Sequence, residues 1–561
     1  MYSQKAFEIL YSSINSAIFI DEKAKDFFSG TPPDMSVIEE KLSVDLFKTF
    51  KENGKSLAVH KFEASNLEDP QILDYLFNGR DLILLDWELA TVAGQEHSLK
   101  LLNMAVSVPY INFCCIYSSS VNFNNIPLTL DAYFLGLSKV EFTSIKEMYS
   151  HLQVEETKIV LGKNKDEINS FFIANEIEVV SFPIQRLRNE SVEILLRCIY
   201  ISLAIEKFTI PQQPIEYQVL NTGNDSFIIN NTFVFTLKKD VNEDNDYKKL
   251  LKRISDAVIK NDSGFFQLLG LEMQSIFNLN EQFIDETILK SSTEALFQFR
   301  NHLKDDKVFG TIIKKLLLEQ ATLKLRTAKL KLLETEFLDF KSNELKTKPP
   351  SEEDLFQLNV FYNSVSVKGL DIDSIPNLNF GDTFKDRNDN YYLCITALCD
   401  CYNPSKIQGN FYFVKGKIFR DYKLALKLGD TAFLSFLPNN IAVYWGDLEN
   451  ANPDNISQNT NETHENYQIR KLKNELDAYK KFQYKPFYIK PKVYNVENNK
   501  LIDNRIRIWE ITNKFRDEEF DQNLNCFDVE YITTLRSDYA QRIANHSFGH
   551  PTRVGVNFAK I

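Results

Sequence analysis

The sequence predicts a multidomain chain of α/β, α and β parts: an N-terminal doubly wound parallel sheet, a central helical region and a C-terminal β-rich domain. Three observations carry this. Over the first 150 residues short continuous apolar runs alternate with helical stretches, as strands buried on both faces do. From about residue 245 to 345 the apolar period becomes helical. Beyond Pro349-Pro350 the chain reads as successive strands.

Taken in order, Ala17-Ile18-Phe19-Ile20, Leu82-Ile83-Leu84-Leu85, Asn112-Phe113-Cys114-Cys115-Ile116 and Tyr133-Phe134-Leu135 are the expected strands of a first domain, residues 1–150. A small α/β unit with a hairpin follows at 151–240. Its expected strands are Thr157-Lys158-Ile159-Val160-Leu161 and Ile177-Glu178-Val179-Val180, and its helix opens at Ser191. Phe227 to Phe235 reads as strand, Asn230-Asn231 turn and strand. The helical region spans 241–348. Its last helix carries Leu317, Ala321, Leu325, Ala328 and Leu332 at three- and four-residue steps, a stripe that suits packing in its own bundle or against a partner. Lys346 to Asp354 has no apolar residue beside its Pro pair and marks the main boundary. In the β-rich domain, 355–561, strands are expected at Tyr391–Thr396, Phe411–Val414, Ile441–Trp445 and within 486–509. A polar loop is expected at Glu449–Asn466, and a closing helix over Tyr531–Ala544.

Hydrophobic residues make up 43% and charged residues 25%, so the chain can build cores and is neither disordered nor fibrous. A net charge of -12 disfavours a broad nucleic-acid surface, and Lys314, Lys315, Lys324, Arg326, Lys329 and Lys331 fall on different sides of a helix. Seven Cys without even spacing point to free thiols in a reducing cytoplasm. No run of about 18 apolar residues and no signal-peptide pattern is present, so neither membrane insertion nor export is expected. Phosphate-loop, dinucleotide-binding and zincin motifs are missing, which removes the common nucleotide and protease readings.

Four positions in the first domain are expected to converge. Asp21 and Glu22 end the first strand, Asp86 ends the strand Leu82-Ile83-Leu84-Leu85, Ser118 ends the strand around Ile116, and Lys139 follows the run around Phe134. In a doubly wound sheet the carboxyl ends of the strands form the ligand crevice. Carboxylates gathered there repel unless a hard cation joins them, and Mg²⁺ favours a few carboxylates with water and phosphate oxygens. Asp21, Glu22 and Asp86 are therefore the candidate metal ligands. A phosphoryl group on Asp86 would complete such a shell, with Ser118 donating to it and Lys139 neutralising it.

Asp21-Glu22 after its strand, Leu84-Leu85-Asp86-Trp87, Tyr117-Ser118 and Lys139 resemble the receiver domain of two-component response regulators, over about residues 15–150. The resemblance implies Asp86 as phosphoacceptor, Asp21 and Glu22 as the metal-binding pair, Ser118 as the hydroxyl that follows the phosphoryl group and Lys139 as the phosphate-pairing lysine. The interval from Asp21 to Asp86 is long, implying an insertion around Thr31-Pro32-Pro33, and Lys139 is followed by Val140. With its Asp-Trp-Glu-Leu motif and large regulatory regions, the chain is similar to receiver proteins of Detocs-type anti-phage systems. That similarity implies a sensor histidine kinase as phosphodonor, a receiver-linked effector elsewhere in the system, and a phosphate-sink or regulatory role with no catalysis beyond self-dephosphorylation. The alternative is a degenerate-receiver scaffold that binds a kinase or effector without phosphorylation.

In the C-terminal domain, Cys394, Cys399 and Cys401 lie within eight residues. Buried structural thiols are the first reading, a reactive thiol the second, and a zinc site completed by Cys399, Cys401, His546 and His550 the third. Phe548 to Val556 is expected to dock as a turn-rich tail.

Overall fold

The computed structural model describes residues 1–206, 219–222, 226–240, 246–365, 378–419, 434–445, 491–497, 501–511 and 526–548, apart from short intervals within those ranges, and a few isolated positions elsewhere. The chain forms two units. One comprises Met1–Phe283 with Glu319–Asn343, the other Ile284–Leu318 with Glu344–Ile561.

The first unit is built on one sheet of seven strands: β1 (Ser16–Asp21), β2 (Ser56–Lys61), β3 (Leu82–Leu85), β4 (Asn112–Ser118), β5 (Val219–Thr222), β6 (Ser226–Ile229) and β7 (Thr232–Lys238). Their order is β2-β1-β3-β4-β7-β6-β5. The first five of these run parallel, and β6 and β5 add an antiparallel edge. Strand residues alternate between two cores. Ile18, Ile20, Ile83, Leu85, Cys114, Ile116 and Val234 enter one, and Phe19, Leu84, Phe113, Cys115, Tyr117, Phe233 and Phe235 the other. Helices cover both faces, which is why the strands read as unbroken apolar runs.

Four helices precede β4: α1 (Tyr2–Ser13), α2 (Ile38–Glu52), α3 (Pro70–Phe77) and α4 (Gly94–Val106). Between β4 and β5 the chain inserts α5 (Ile126–Phe134), α6 (Lys139–Met148), α7 (Val154–Leu161), α8 (Lys165–Ala174) and α9 (Val192–Ala204), and α10 (Tyr247–Val258) and α11 (Gly264–Asn280) follow β7. Three expected strands are therefore corrected. Tyr133–Leu135 ends α5, which has Pro127 in its first turn, and Thr157–Leu161 lies in α7, which opens with Glu155 and Glu156. Ile177–Val180 is not a strand. Short apolar runs fit a buried helix as well as a buried strand, and the proline and acidic first turns decide for helix. The expected hairpin does form, with Asn230 at φ 51°, but its second strand β7 pairs in parallel with β4. The sheet thus spans residue 150, and the first unit continues past 240 through α10 and α11.

The central helices are α12 (Glu286–Leu289), α13 (Thr293–His302), α14 (Asp306–Ala321), α15 (Thr335–Leu345) and α16 (Glu352–Asn363). The expected helix through Leu332 stops at Ala321 and gives way to short 3₁₀ turns at Leu325–Thr327 and Lys331–Leu333. Buried Glu272 of α11 accepts from both the Lys331 backbone N–H and its ammonium at 3.0 Å, pinning the backbone outside helical geometry. Ala321 and Leu332 are still buried, whereas Leu325 and Ala328 are only half-buried.

The second unit holds the β-rich domain: β8 (Ser364–Val365), β9 (Asp382–Lys385), β10 (Asn390–Cys394), β11 (Asn410–Phe419), β12 (Leu434–Leu437), β13 (Ile441–Trp445), β14 (Lys492–Val496), β15 (Arg505–Glu510) and β16 (Phe527–Leu535). The path β10-β9-β16-β15-β14-β11 closes into a barrel because β11 also pairs with β10. Ten residues long, β11 serves β14 with residues 410–413 and β13 with 416–419. Gly416 permits that crossing, since a Cβ there would lie 2.6 Å from the Trp445 ring. Phe384, Tyr392, Phe413, Tyr494 and Tyr531 fill the interior with edge-on ring contacts. The closing helix, α17 (Ser537–Ser547), starts after β16, so Tyr531–Leu535 is strand rather than helix. Cys394 and Cys401 are buried in the barrel core and Cys399 is exposed. Among the described residues no group of three His, Cys, Asp or Glu side chains is arranged to hold a metal ion. The polar loop at 449–466, His550 and the tail beyond Phe548 lie outside the described residues.

Buried Asp382 accepts from the Asn379 N–H and the Thr534 hydroxyl, each at 2.7 Å. Burial nevertheless pushes its carboxyl up to about 7 from 3.8, with those two donors opposing the shift. A raised folded-state value stabilises the protonated form. The contribution is therefore complete below about pH 4 and is lost as pH rises through about 7. Thermal unfolding of the β-rich domain followed from pH 5 to 8 is expected to lose stability over that window, and Asp382→Asn to flatten the dependence.

Candidate phosphoacceptor site

Parallel strands in register bring their carboxyl ends to one edge. Ile20 pairs with Leu85, Leu85 with Ile116, and Ser118 with Lys238. The ladder continues one step further: the Asp86 N–H donates to the Ile20 carbonyl at 3.0 Å and the Lys239 N–H to the Ser118 carbonyl at 2.9 Å. Asp21, Asp86, Ser118 and Lys239 are thereby aligned at the ends of β1, β3, β4 and β7. Their backbones are fixed by the sheet rather than by mobile loops.

The side chains meet around the Lys239 ammonium, which lies 2.6 Å from Asp21 Oδ2 and 3.0 Å from Asp86 Oδ1. Its exposure is 4%, and its Nζ is 5.8 Å from the Phe19 and Tyr117 ring centroids. Burial pushes the Asp86 carboxyl up to about 6; Lys239 opposes that shift and Asp21 adds to it. For Lys239 burial works against the charge, but Asp21 and Asp86 outweigh it and hold its pKa above the usual value. At neutral pH the arrangement is an ionised, poorly solvated Asp86 beside one fixed cation. The crevice above them is lined by Asp21, Glu22, Glu39, Asp86, Glu88, Ser118 and Ser120 among others. Lys23 in the lining and Lys239 beneath it stand against the carboxylates of Asp21, Glu22, Glu39, Asp86, Glu88 and Glu96, an excess of negative charge that favours a cation in the crevice.

Ser118 is buried, and its Oγ accepts from the Ser120 N–H at 3.1 Å, so its O–H is oriented by a fixed neighbour. The Ser120 hydroxyl donates to Glu88 at 2.8 Å. Behind Asp86, the buried Ser98 hydroxyl lies 2.9 Å from the Asp86 carbonyl and 2.8 Å from that of Trp87, holding the acceptor loop against α4. Gly94 lets α4 approach that loop, since a Cβ would come within 3.0 Å of the Leu89 backbone nitrogen.

Asp21, Glu22, Asp86 and Ser118 thus stand together as expected from the sequence. Lys139 does not join them. It is the exposed first residue of α6, where Ser138 and Glu141 form a reciprocal capping box. The Ser-x-x-Glu spacing is itself a helix-start signal, and it explains why the residue belongs to a helix rather than a strand end. The site lysine, Lys239, sits exactly one residue past β7, about a hundred residues further along. The available signal was the apolar run Phe233-Val234-Phe235 followed by Lys238-Lys239.

A divalent cation fits this donor set. Asp21 and Asp86 are buried carboxylates, Glu22 lies at the rim, and the crevice is acidic. Because no three such side chains form a metal-holding group among the described residues, a Mg²⁺ ion here would rely on two carboxylates, water and phosphoryl oxygens.

The fold and this edge are those of a doubly wound α/β domain with an acidic crevice at its strand ends. Residues 13–168 match the family model described as a response receiver domain, which makes the N-terminal region a receiver domain. The matched segment carries Asp21, Glu22, Asp86 and Ser118 and ends before β7 and Lys239. No curated protein and no solved structure matches the chain.

Replacing Lys239 with Gln leaves two buried carboxylates without their cation. Chemical denaturation at pH 7.5 is expected to show a loss of up to about 3 kcal/mol in the first unit, reduced at pH 5 as the carboxyls take protons. Lys139→Gln is expected to change stability by less than about 0.5 kcal/mol.

Proposed function

We propose that the protein takes part in two-component-like signalling, a reading supported by the receiver-domain match, which implies a phosphodonor such as a histidine kinase. We propose that Asp86 is the acceptor and that Lys239 is the lysine that serves it. The observation that carries this reading is the single buried ammonium bridging Asp21 and Asp86. An Asp86 carboxylate oxygen attacks the phosphorus of a phosphohistidine; the P–N bond breaks and the imidazole retains its electron pair. Lys239 stands within reach of the new phosphoryl oxygens, and the Ser118 hydroxyl donates to another. Asp21 and Asp86 would hold a Mg²⁺ ion, which would supply positive charge against the phosphoryl group. Phosphorylation turns Asp86 from a partner of Lys239 into a larger, more anionic group, and the competition for Lys239 and Ser118 is the switch.

Loss of its own phosphoryl group is the only reaction assigned to the chain. The finer role follows the resemblance to Detocs-type receiver proteins: a phosphate sink or regulator in anti-phage signalling, drawing phosphate from a sensor kinase that also serves a receiver-linked effector. The large body joined to one acceptor domain supports a regulatory role, and the described helices include none long and apolar enough to cross a membrane.

Incubation with acetyl phosphate and Mg²⁺, read by intact mass, is expected to add one hydroxylamine-labile phosphoryl group to the wild type and none to Asp86→Asn. Lys239→Gln is expected to lower labelling at least tenfold, about 1.4 kcal/mol, whereas Lys139→Gln leaves it unchanged. An adduct that survives in Asp86→Asn overturns the assignment. No adduct from acetyl phosphate or any cognate kinase supports the non-phosphorylated scaffold instead.

A further inference from the structure

Residues 284–318 of the second unit form helices that bury little of their apolar surface. Ile284 is 51% exposed, Leu289 75%, Leu296 40%, Phe297 54%, Phe299 42% and Leu316 54%. Thr293 to Phe299 are all exposed, so α13 presents every side of its first two turns to solvent. A helix of ten residues is marginal on its own in water, because nucleation is costly and packing supplies most helical stability. The Phe299–Phe309 ring pair, centroids 6.3 Å apart, links it to α14. At 100° per residue Leu296, Phe297 and Phe299 span less than half of the α13 circumference, an apolar face with Glu294 beside it.

We propose that this helical hairpin is a self-association surface, covered by the same hairpin of a second copy of the chain. Leu296, Phe297, Phe299 and Leu316 of the hairpin, with Ile284 and Leu289 before it in the chain, expose roughly 600 Å², about three quarters of the ~800 Å² that each partner of a standard interface buries. Apolar character this high fits a homodimer better than a transient heteromeric contact. The charges also suit a two-fold pairing: acidic Glu294 lies on α13 and basic Lys314 on α14, so a surface offering both signs can meet its own copy. α13 and α14 of two copies would form a four-helix arrangement, giving α13 the burial it lacks.

The test is the mass of the full chain by light scattering across a concentration series, with Phe297→Glu/Leu316→Glu as the variant. The wild type is expected to approach twice the 65.1 kDa chain mass, and the variant to self-associate at least about tenfold more weakly while keeping its circular dichroism. Hydrogen exchange needs no mutation and guards against misfolding of the variant: protection of amides 293–302 is expected to rise with wild-type concentration. A wild type that stays monomeric at tens of micromolar, a dimer unchanged by the substitutions, or concentration-independent exchange at 293–302 overturns the proposal. Asp86 labelling is unaffected by these substitutions, so failure here is distinct from failure of the phosphoacceptor reading.

Discussion

The buried contact of Lys239 with Asp21 and Asp86 is the constraint around which the first unit is organised. Two buried carboxylates sharing one ammonium repel each other, and burial raises the cost of ionising Asp86. A single ammonium between them makes ionised Asp86 tolerable, yet does not neutralise the crevice. The result is an ionised Asp86, the carboxylate proposed as acceptor, beside an opening that still favours a cation. Ser118 and the Ser98-braced loop hold the other groups of that edge in place.

That contact depends on β7 reaching the correct place in the sheet. Between β4 and β7 the chain makes five helices and an antiparallel edge, then returns so that Ser118 faces Lys238 in register. The return is enforced by packing: Phe233 and Phe235 enter one core and Val234 the other, so a slip of one residue would reverse all three. The asparagine turn preceding β7 fixes the same register from the other side, with Asn230 Nδ2 donating to the Val106 carbonyl at 2.8 Å. Long insertions are tolerated because loop-closure entropy grows slowly with length, while the sheet retains its contacts.

Much of this was legible in the sequence. The runs at 17–20, 82–85 and 112–116 became β1, β3 and β4, and the acidic residues, Asp86 and Ser118 followed from where such strands end. The hairpin at 227–235, the barrel strands at 391 and 411 and the strand at 441 beside β11 were also readable from apolar runs and turn residues. What the pattern did not carry was non-local. Tyr133–Leu135 had the apolarity of a strand, but its proline start made it α5, and Lys139 went with α6. That β7 pairs with β4 across the insertion is a tertiary fact, invisible to a window of residues, and so Lys239 was missed. The helix expected through Leu332 failed for the same kind of reason, since Glu272 captures Lys331 from a distant helix.

The account stands on Lys239 as the cation of the acceptor site. The most direct measurement is a crystal structure of the full chain grown with beryllofluoride and Mg²⁺, a mimic of the phosphorylated state. The beryllium is expected on an Asp86 carboxylate oxygen, with Lys239 Nζ in hydrogen-bond reach of a fluoride and Lys139 still on the surface of α6. Beryllofluoride bound at Asp86 with Lys239 turned away, or another lysine in its place, would contradict it.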